Sequence, residues 1–404
     1  MSTQRRGRDF ALFWAAETLS TFGSSFSLVA VPLLVLEATG SVAQMGLLTG
    51  TAAVASLVAG AFAGGVADRV DRKRLLILAN VAQALLLGVV PLAWSVGPAA
   101  SLLFLVVPLA TAFAMLFRVA YVTVIPQLVD PDRITRANGR ISASGAAAGL
   151  VGPVLAGLVS GQFGPATAIG VDAVTFAIAA VGLALVRLRA RTDAPPARVA
   201  VWRDLQVGGA FLWRQPVLRS LTILLTVMIF FWQGLVDLVI FHLKQDLAQP
   251  DKTIGTVLAI GSVGTLAGAL IVAWLRRAIG FGGSWSLSTT LAGLAVIGIA
   301  VATDVSTIAA LTLAAFAMTA VGGICSMSLR QEITPPDLLG RVTSAFWTIH
   351  YALGPIGAAA LTALAAHAGA AAIIALCGVA FVVLGLTALF TPARAARPER
   401  VPVL

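Results

Sequence analysis

Charge is scarce in this sequence: 11% of its 404 residues are Asp, Glu, Lys or Arg, against 59% that are hydrophobic. A soluble domain is about 25% charged, so a water-soluble globule of this size is excluded. Disorder is excluded for all but the ends, because it requires low hydrophobicity and high charge. Cysteine is nearly absent. Cys325 and Cys377 lie inside apolar runs, form neither a CxxC pair nor a disulfide framework, and read as small packing residues. The three histidines, His242, His350 and His367, are scattered. No HExxH, aspartate-rich metal motif, GxSxG or Walker loop occurs, so the sequence offers no enzyme, no metal site, no cofactor and no ATP-driven pump.

What the chain has instead is long apolar runs, with a mean hydropathy of +0.96. A membrane-crossing helix needs about 20 apolar residues. Cutting the sequence at charges and Gly/Pro clusters gives twelve such segments. The first six run at about 10–37, 43–66, 75–95, 99–122, 139–161 and 165–187, and the second six at about 217–243, 254–275, 283–303, 306–329, 341–366 and 369–391. The first follows Arg5, Arg6 and Arg8 but is longer than a signal-peptide core and lacks a small-residue cleavage pattern, so it reads as a span. The expected fold is an all-α polytopic membrane protein with twelve transmembrane helices in two pseudo-symmetric six-helix bundles.

The cations test this count. The net charge of +10 has no basic domain with which to bind nucleic acid, and it reads as a topology signal, because Lys and Arg stay on the cytoplasmic side. With the N-terminus inside, 24 of the 27 cations fall in inside segments; Lys244 and Lys252 fall outside and Arg118 lies within a span. Both termini are therefore expected in the cytoplasm, in a multi-pass protein of the inner membrane. The long polar interruption at 188–216, with Pro195-Pro196 and many arginines, divides the chain into an N-terminal bundle (1–187), a cytoplasmic linker (188–216), a C-terminal bundle (217–391) and a tail (392–404). From Val201 to Trp213 the linker is either an interfacial amphipathic helix or plain connection.

The halves resemble each other. Gly152-Pro153 and Gly354-Pro355 stand 202 residues apart, and Gln127/Gln331 and Pro131/Pro335 match at an offset of 204. Many secondary transporters repeat a six-span unit in this way, with a polar site between the halves. Between spans two and three lies GGVADRVDRKRLL, with Gly64, Asp68, Arg69, Asp71, Arg72 and Lys73. This loop resembles the signature of the major facilitator superfamily: a glycine, an aspartate four residues on, then a basic cluster. The resemblance implies that Gly64 permits close helix approach and that Asp68, at a helix end, pairs with basic groups in a gating lock; as simple topology markers the same cations would do less. Asp71 stands where many members have glycine. That change, Thr39-Gly40-Ser41, PQLVDPDRITRANG and GVDAVTFAIAAVGLAL resemble the macrolide-efflux and enterobactin-exporter-like branch. The second-half counterpart, Arg276-Arg277, lacks the aspartate, so a lock is expected to rest on the first half. Gly149, Gly152, Pro153 and Gly157 in span five resemble the glycine-proline motif of antiporter members, and span eleven repeats Gly354 and Pro355. Ordinary close packing of membrane glycines is the alternative.

Few charges inside the spans have a structural excuse. An ionisable group there costs about 2.5–3.5 kcal/mol on insertion scales and is a functional candidate by default. Glu17 is the foremost proton-coupling candidate, with Ser20, Thr21 and Ser24 on its helical face; the alternative is a neutral glutamate hydrogen-bonded in a helix interface. Asp237 is either a second proton or cation site or a partner of His242 or Lys244. His350, near Trp347 and Tyr351, either titrates and binds substrate or packs. Arg118 either snorkels or partners Glu17 or an anionic substrate. Asp172, near the outer end of span six, is expected to have a helix-end or packing role rather than a coupling one. The aromatics Trp14, Phe26, Phe230, Phe231, Trp232 and Trp347 either line a lipophilic pocket or face lipid and pack, and Trp347 and Tyr351 are candidates to line the substrate cavity. The expected function is proton-coupled antiport that exports small amphiphilic molecules such as drugs, natural products or siderophores. Its partners are small-molecule substrate, protons and the bilayer, with no nucleic acid, and the resemblance implies a monomer. A proton-coupled importer of a metabolite is the alternative, and a non-transporting sensor or scaffold a third.

Overall fold

A backbone inside a bilayer has no water to bond, so an apolar run must satisfy its own N–H and C=O groups, and a helix does so within one segment. The computed structural model, which describes residues 3–129, 134–187, 201–335 and 338–397, is all-helical, with no strand among the described residues. Its first six helices are α1 (Thr3–Thr39), α2 (Val42–Arg69), α3 (Arg72–Trp94), α4 (Ala100–Leu128), α5 (Ile134–Phe163) and α6 (Pro165–Leu185). A shorter α7 (Val201–Arg214) follows. The remainder comprises α8 (Pro216–Trp232), α9 (Leu235–Phe241), α10 (Asp251–Val301), α11 (Val305–Ile333), α12 (Leu339–Tyr351), α13 (Gly354–Ala368) and α14 (Ala370–Ala388).

Among the described residues eleven helical stretches are long and apolar enough to cross a membrane, and the 51-residue α10 accounts for two of the twelve expected spans. Gly280 interrupts it at φ 73°, a left-handed conformation that glycine adopts without a Cβ penalty. Spans seven and eleven are each divided, the first into α8, α9 and a π turn at His242–Asp246, the second into α12 and α13. Pro165, Pro216 and Pro355 sit in the first turns of their helices, where the missing N–H has no intrahelical partner to lose. The linker from 188 to 200, Pro131, Arg133 and the end of the tail lie outside the described residues. So do the surroundings of Gly64 and the side chains of Asp68 and Arg69.

The chain forms two compact units, Met1–Pro196 with Gln249–Ala259, and Ala197–Ala248 with Ile260–Leu404. In the first, α1 packs on α5 and α6, α3 on α4 and α6, and α2 on α4. Phe10, Phe13, Leu75, Leu76, Val124, Ile125 and Leu183 form one buried cluster. Phe62, Leu92, Leu105, Leu270 and Trp274 are exposed, as side chains bathed in lipid are free to be.

In the second unit glycine sets how near the backbones come. A Cβ on Gly293 would lie 2.6 Å from the Gly378 carbonyl oxygen, and one on Gly378 2.7 Å from that of Gly293, so α10 and α14 touch main chain to main chain. Past the Gly280 break, the Phe281 and Gly282 N–H groups donate to the Ala396 and Ala395 carbonyls at 2.9 and 3.1 Å. Residues of the tail thus cap the start of span nine, whose first N–H groups have no partner within the helix. Asp71, the residue that departs from the resembled loop pattern, caps α3: its Oδ1 accepts from the Arg74 N–H at 2.9 Å.

Two stability effects follow from these contacts. Asp71→Ala is expected to cost about 1 kcal/mol through the lost cap. Gly293→Val is expected to cost about 1–3 kcal/mol by forcing α10 and α14 apart. Melting of the purified protein in detergent measures both; an unchanged melting temperature in Gly293→Val would contradict the close crossing.

Candidate functional site

Glu17 faces α4 from α1. The Thr21 and Ser20 hydroxyls donate to the Glu17 backbone carbonyl at 2.8 and 3.2 Å, and that of Ser24 to the Ser20 carbonyl at 3.0 Å. The hydroxyls that share the Glu17 face therefore bond back into their own helix; Ser20 is buried and Ser24 exposed. The Glu17 carboxyl has a buried oxygen, Oε2, with no hydrogen-bond partner. Arg118 and Tyr121 of α4 both interact electrostatically with it. Being three residues apart, these two share one face of α4. Tyr121 escaped the sequence analysis, although its spacing from Arg118 was a readable signal. Phe13 stacks on Tyr121 with ring centroids 5.9 Å apart, and Trp14 Nε1 donates to Ser144 Oγ of α5 at 2.8 Å, so both ends of the cluster are held. A carboxyl with a free buried oxygen, a cation and a phenol around it can take up or release a proton at that oxygen.

Asp172 of α6 is buried and accepts hydrogen bonds from the Ser27 hydroxyl of α1 and from Thr175 Oγ1, the latter at 3.5 Å. Gly23 makes this approach possible, since a Cβ there would lie 1.9 Å from Thr175 Oγ1 and 2.6 Å from Asp172 Oδ1. Asp172 thus ties α1 to α6.

The glycine-proline segment of α5 is packed on both sides. A Cβ on Gly152 would lie 2.3 Å from Ser25 Cβ of α1, whose hydroxyl donates to the Ala148 carbonyl at 3.2 Å. A Cβ on Gly157 would lie 2.6 Å from the Asp251 carbonyl oxygen, and one on Gly255 2.2 Å from that of Pro153. The start of α10 therefore rests on α5 backbone to backbone within the first unit. Gly149 is half-buried on the same helix. At the start of α3, which Arg72 opens, Lys73 Nζ donates to the Ala184 carbonyl at 2.7 Å, meeting the last turn of α6.

In the second unit, α12 gathers Phe346, Trp347, His350 and Tyr351. His350 stacks on Phe346 at 5.3 Å, and its buried Nδ1 has no hydrogen bond. Trp347 and Tyr351 stack at 5.3 Å and are both exposed. Arg330, which the sequence placed among the topology-setting cations, is only 3% exposed and enters this cluster. Its Cζ lies 3.3 Å above the Phe346 ring centroid, and its side chain reaches Ser326 Oγ at 3.4 Å. The ring face supplies the attraction that water would give an ordinary arginine. No local sequence signal joins Arg330 to Phe346; only the packing of α11 on α12 does. Asp237 is buried in α9, and His242 pairs through Nδ1 with Asp246 at 2.7 Å, leaving its Nε2 without a hydrogen bond.

The breaks in spans seven and eleven meet. A Cβ on Gly357 would lie 1.9 Å from the Phe230 carbonyl oxygen, and one on Gly234 3.1 Å from Ala358 Cα, with Gly354 and Pro355 buried beside them. Interrupted helices in contact are how transporters build polar sites at membrane depth. Arg276, at the position matching Asp68, makes a bidentate ion pair with Glu332, one arm of it 2.8 Å, beside a cleft of about 510 Å³ lined by Arg277, Cys325 and Ser328. An acid from α11 thus serves the basic pair that has no aspartate of its own.

Residues 13–358 match the sequence profile of the Major Facilitator Superfamily. The chain belongs to that superfamily. It is 28% identical over 403 residues to the multidrug efflux pump Tap of Mycolicibacterium fortuitum, covering 97% of each chain. To the enterobactin exporter EntS of Citrobacter koseri it is 27% identical, over 89% of this chain and 85% of that one. Among solved structures it is similar to the nucleoside transporter NupG (TM-score 0.78, 12% identity, 95% of this chain and 98% of that one). It is equally similar to a bacterial homologue of the lysosomal transporter Spinster (TM-score 0.78, 15% identity, 100% of both chains). At such identities these likenesses speak for the fold alone. As a major facilitator superfamily protein the chain is a membrane transporter of small molecules and not an enzyme, in agreement with the loop resemblance between spans two and three.

The tie between α1 and α6 is open to a graded test. Asp172→Ala, which leaves the Ser27 hydroxyl without its acceptor, is expected to cost about 1–3 kcal/mol. Asp172→Asn keeps an acceptor and is expected to cost less. Melting temperatures of the two variants check the order, and equal losses would contradict it.

Proposed function

We propose that the protein is a proton-coupled antiporter that exports small amphiphilic molecules, such as drugs, natural products or siderophores, by alternating access. The observation that carries this reading is the Glu17 carboxyl, with its unbonded buried oxygen beside Arg118 and Tyr121. An ionisable group at membrane depth is costly to retain without a function, and proton exchange is the function a carboxyl supplies. Relatives named as a multidrug efflux pump and an enterobactin exporter support export, as does the glycine-proline segment of α5.

With 24 of 27 cations on one side of the twelve-span topology, both termini face the cytoplasm and the protein resides in the inner membrane. The linker 188–216 then lies on the cytoplasmic side, between bundles 1–187 and 217–391. Proton re-entry supplies about 2.3 kcal/mol per charge per 100 mV, and Glu17 is where that proton is taken up. Protonation removes the negative charge facing Arg118, and loss of the proton restores the pair, so the balance of charge on α1 and α4 changes with each cycle. Asp237 and His350 are further coupling candidates. Ser20, Thr21, Ser24, Arg118, Trp347 and Tyr351 are the side chains offered to substrate. The loop with Gly64, Asp68, Arg69, Arg72 and Lys73 acts as the gate. The protein works as a monomer.

The test uses inside-out vesicles in which respiration acidifies the lumen and quenches a pH-sensitive dye. Addition of a macrolide, a tetracycline, a lipophilic cation or a catecholate siderophore is expected to restore fluorescence with the wild type and not with Glu17→Gln. Full recovery with Glu17→Gln would remove Glu17 from the coupling path. Uptake into right-side-out vesicles without any recovery would establish import instead.

A further inference from the structure

Helix α7 has two unlike faces. Asp204, Leu205, Gly208 and Leu212 fall on one side, and of these Gly208 and Leu212 are buried. That side lies on the start of α12. A Cβ on Gly208 would stand 2.1 Å from the Arg341 carbonyl oxygen, so only glycine lets the two backbones meet there. Asp204 Oδ1 receives the Arg341 Nε at 2.7 Å, fixing the register of the contact. On the opposite side Trp202 and Trp213, three turns apart, are 70% and 51% exposed. Next to them on the helix, Arg203 and Arg214 are exposed with the same spacing, and Val207 lies between.

Two tryptophans and two arginines in line, turned away from the protein, are side chains suited to a lipid headgroup layer. Trp belongs at the membrane–water interface, and Arg is drawn to anionic lipid. The wider stretch 187–219 holds seven arginines against two aspartates, and one of those, Asp204, is already engaged by Arg341. This charge leaves an anionic lipid surface as the partner that fits.

We propose that α7 docks on the anionic headgroups of the leaflet it faces, and that its clamp on Arg341 passes this anchoring to α12, the segment that carries Phe346, Trp347, His350 and Tyr351. Because α12 is separated from α13 at Ala352-Leu353, it is the part of span eleven able to move with α7. Lipid charge then sets how firmly the Arg330–His350 cluster is held, whichever substrate is carried. The inference goes beyond the antiport reading and takes from it only that the linker is cytoplasmic.

Hydrogen exchange of the intact protein in nanodiscs tests it without any substrate. Discs of phosphatidylcholine alone are compared with discs that also contain phosphatidylglycerol. Phosphatidylglycerol is expected to slow exchange in both 201–214 and 339–351, by about thirtyfold when two arginines bind the surface. Replacing Arg203 and Arg214 together by Gln is expected to abolish this in both segments. Asp204→Ala and Gly208→Leu are expected to keep the lipid effect in 201–214 and lose it in 339–351, and exchanging the charges (Asp204→Arg with Arg341→Asp) is expected to restore it. Exchange of 201–214 that ignores lipid charge would overturn the docking. Protection of 339–351 that persists in Asp204→Ala and Gly208→Leu would overturn the clamp.

Discussion

A bilayer cannot solvate a peptide group or a charge, and nearly every feature of this protein answers that constraint. Backbone groups are satisfied within helices, so twelve apolar runs become spans. Where a helix must begin or break, something close at hand supplies the missing partner. Asp71 caps α3, and the tail carbonyls of Ala395 and Ala396 receive the N–H groups freed at Gly280. Hydroxyls of Ser20, Thr21 and Ser24 fold back onto α1 for the same reason. Charges obey the constraint too: Arg330 has a ring face in place of water, and Arg276 has Glu332.

Because lipid is as apolar as the helix surfaces, burial of hydrophobic area does little to hold spans together; close backbone contact and a few hydrogen bonds do it instead. Gly152 against Ser25, Gly157 and Gly255 against one another, Gly293 against Gly378, and Gly357 against Phe230 all place main chain where a Cβ would collide. Two glycine contacts lie close in the chain to candidate groups. Gly23 brings α1 to Asp172 six residues after Glu17, and Gly357 joins the broken spans seven and eleven just past His350 and Tyr351.

The family resemblance was legible in one loop, and the profile match and the relatives agree with it. Candidate groups were legible where they broke a pattern: Glu17 and Asp237 stood out as acids in apolar runs, and Tyr121 was recoverable from its spacing to Arg118. Arg330 was not recoverable. At the end of a span it has the same sequence context as a snorkelling cation, and its approach to Phe346 joins residues sixteen apart on two helices. The clamp of α7 on α12 was equally hidden, since Gly208 and Arg341 are far apart in the chain.

The sequence by itself determined the all-helical, membrane-spanning class and the superfamily, because each is a property of local composition and motif read against the membrane's thickness and polarity. The tertiary structure alone decided which carboxyl oxygen is left unbonded, which arginine is buried, which glycines carry a crossing and where the linker helix attaches. Those depend on distances between helices remote in sequence, and hydropathy is silent about them because every helix face in lipid looks alike until another backbone is laid against it.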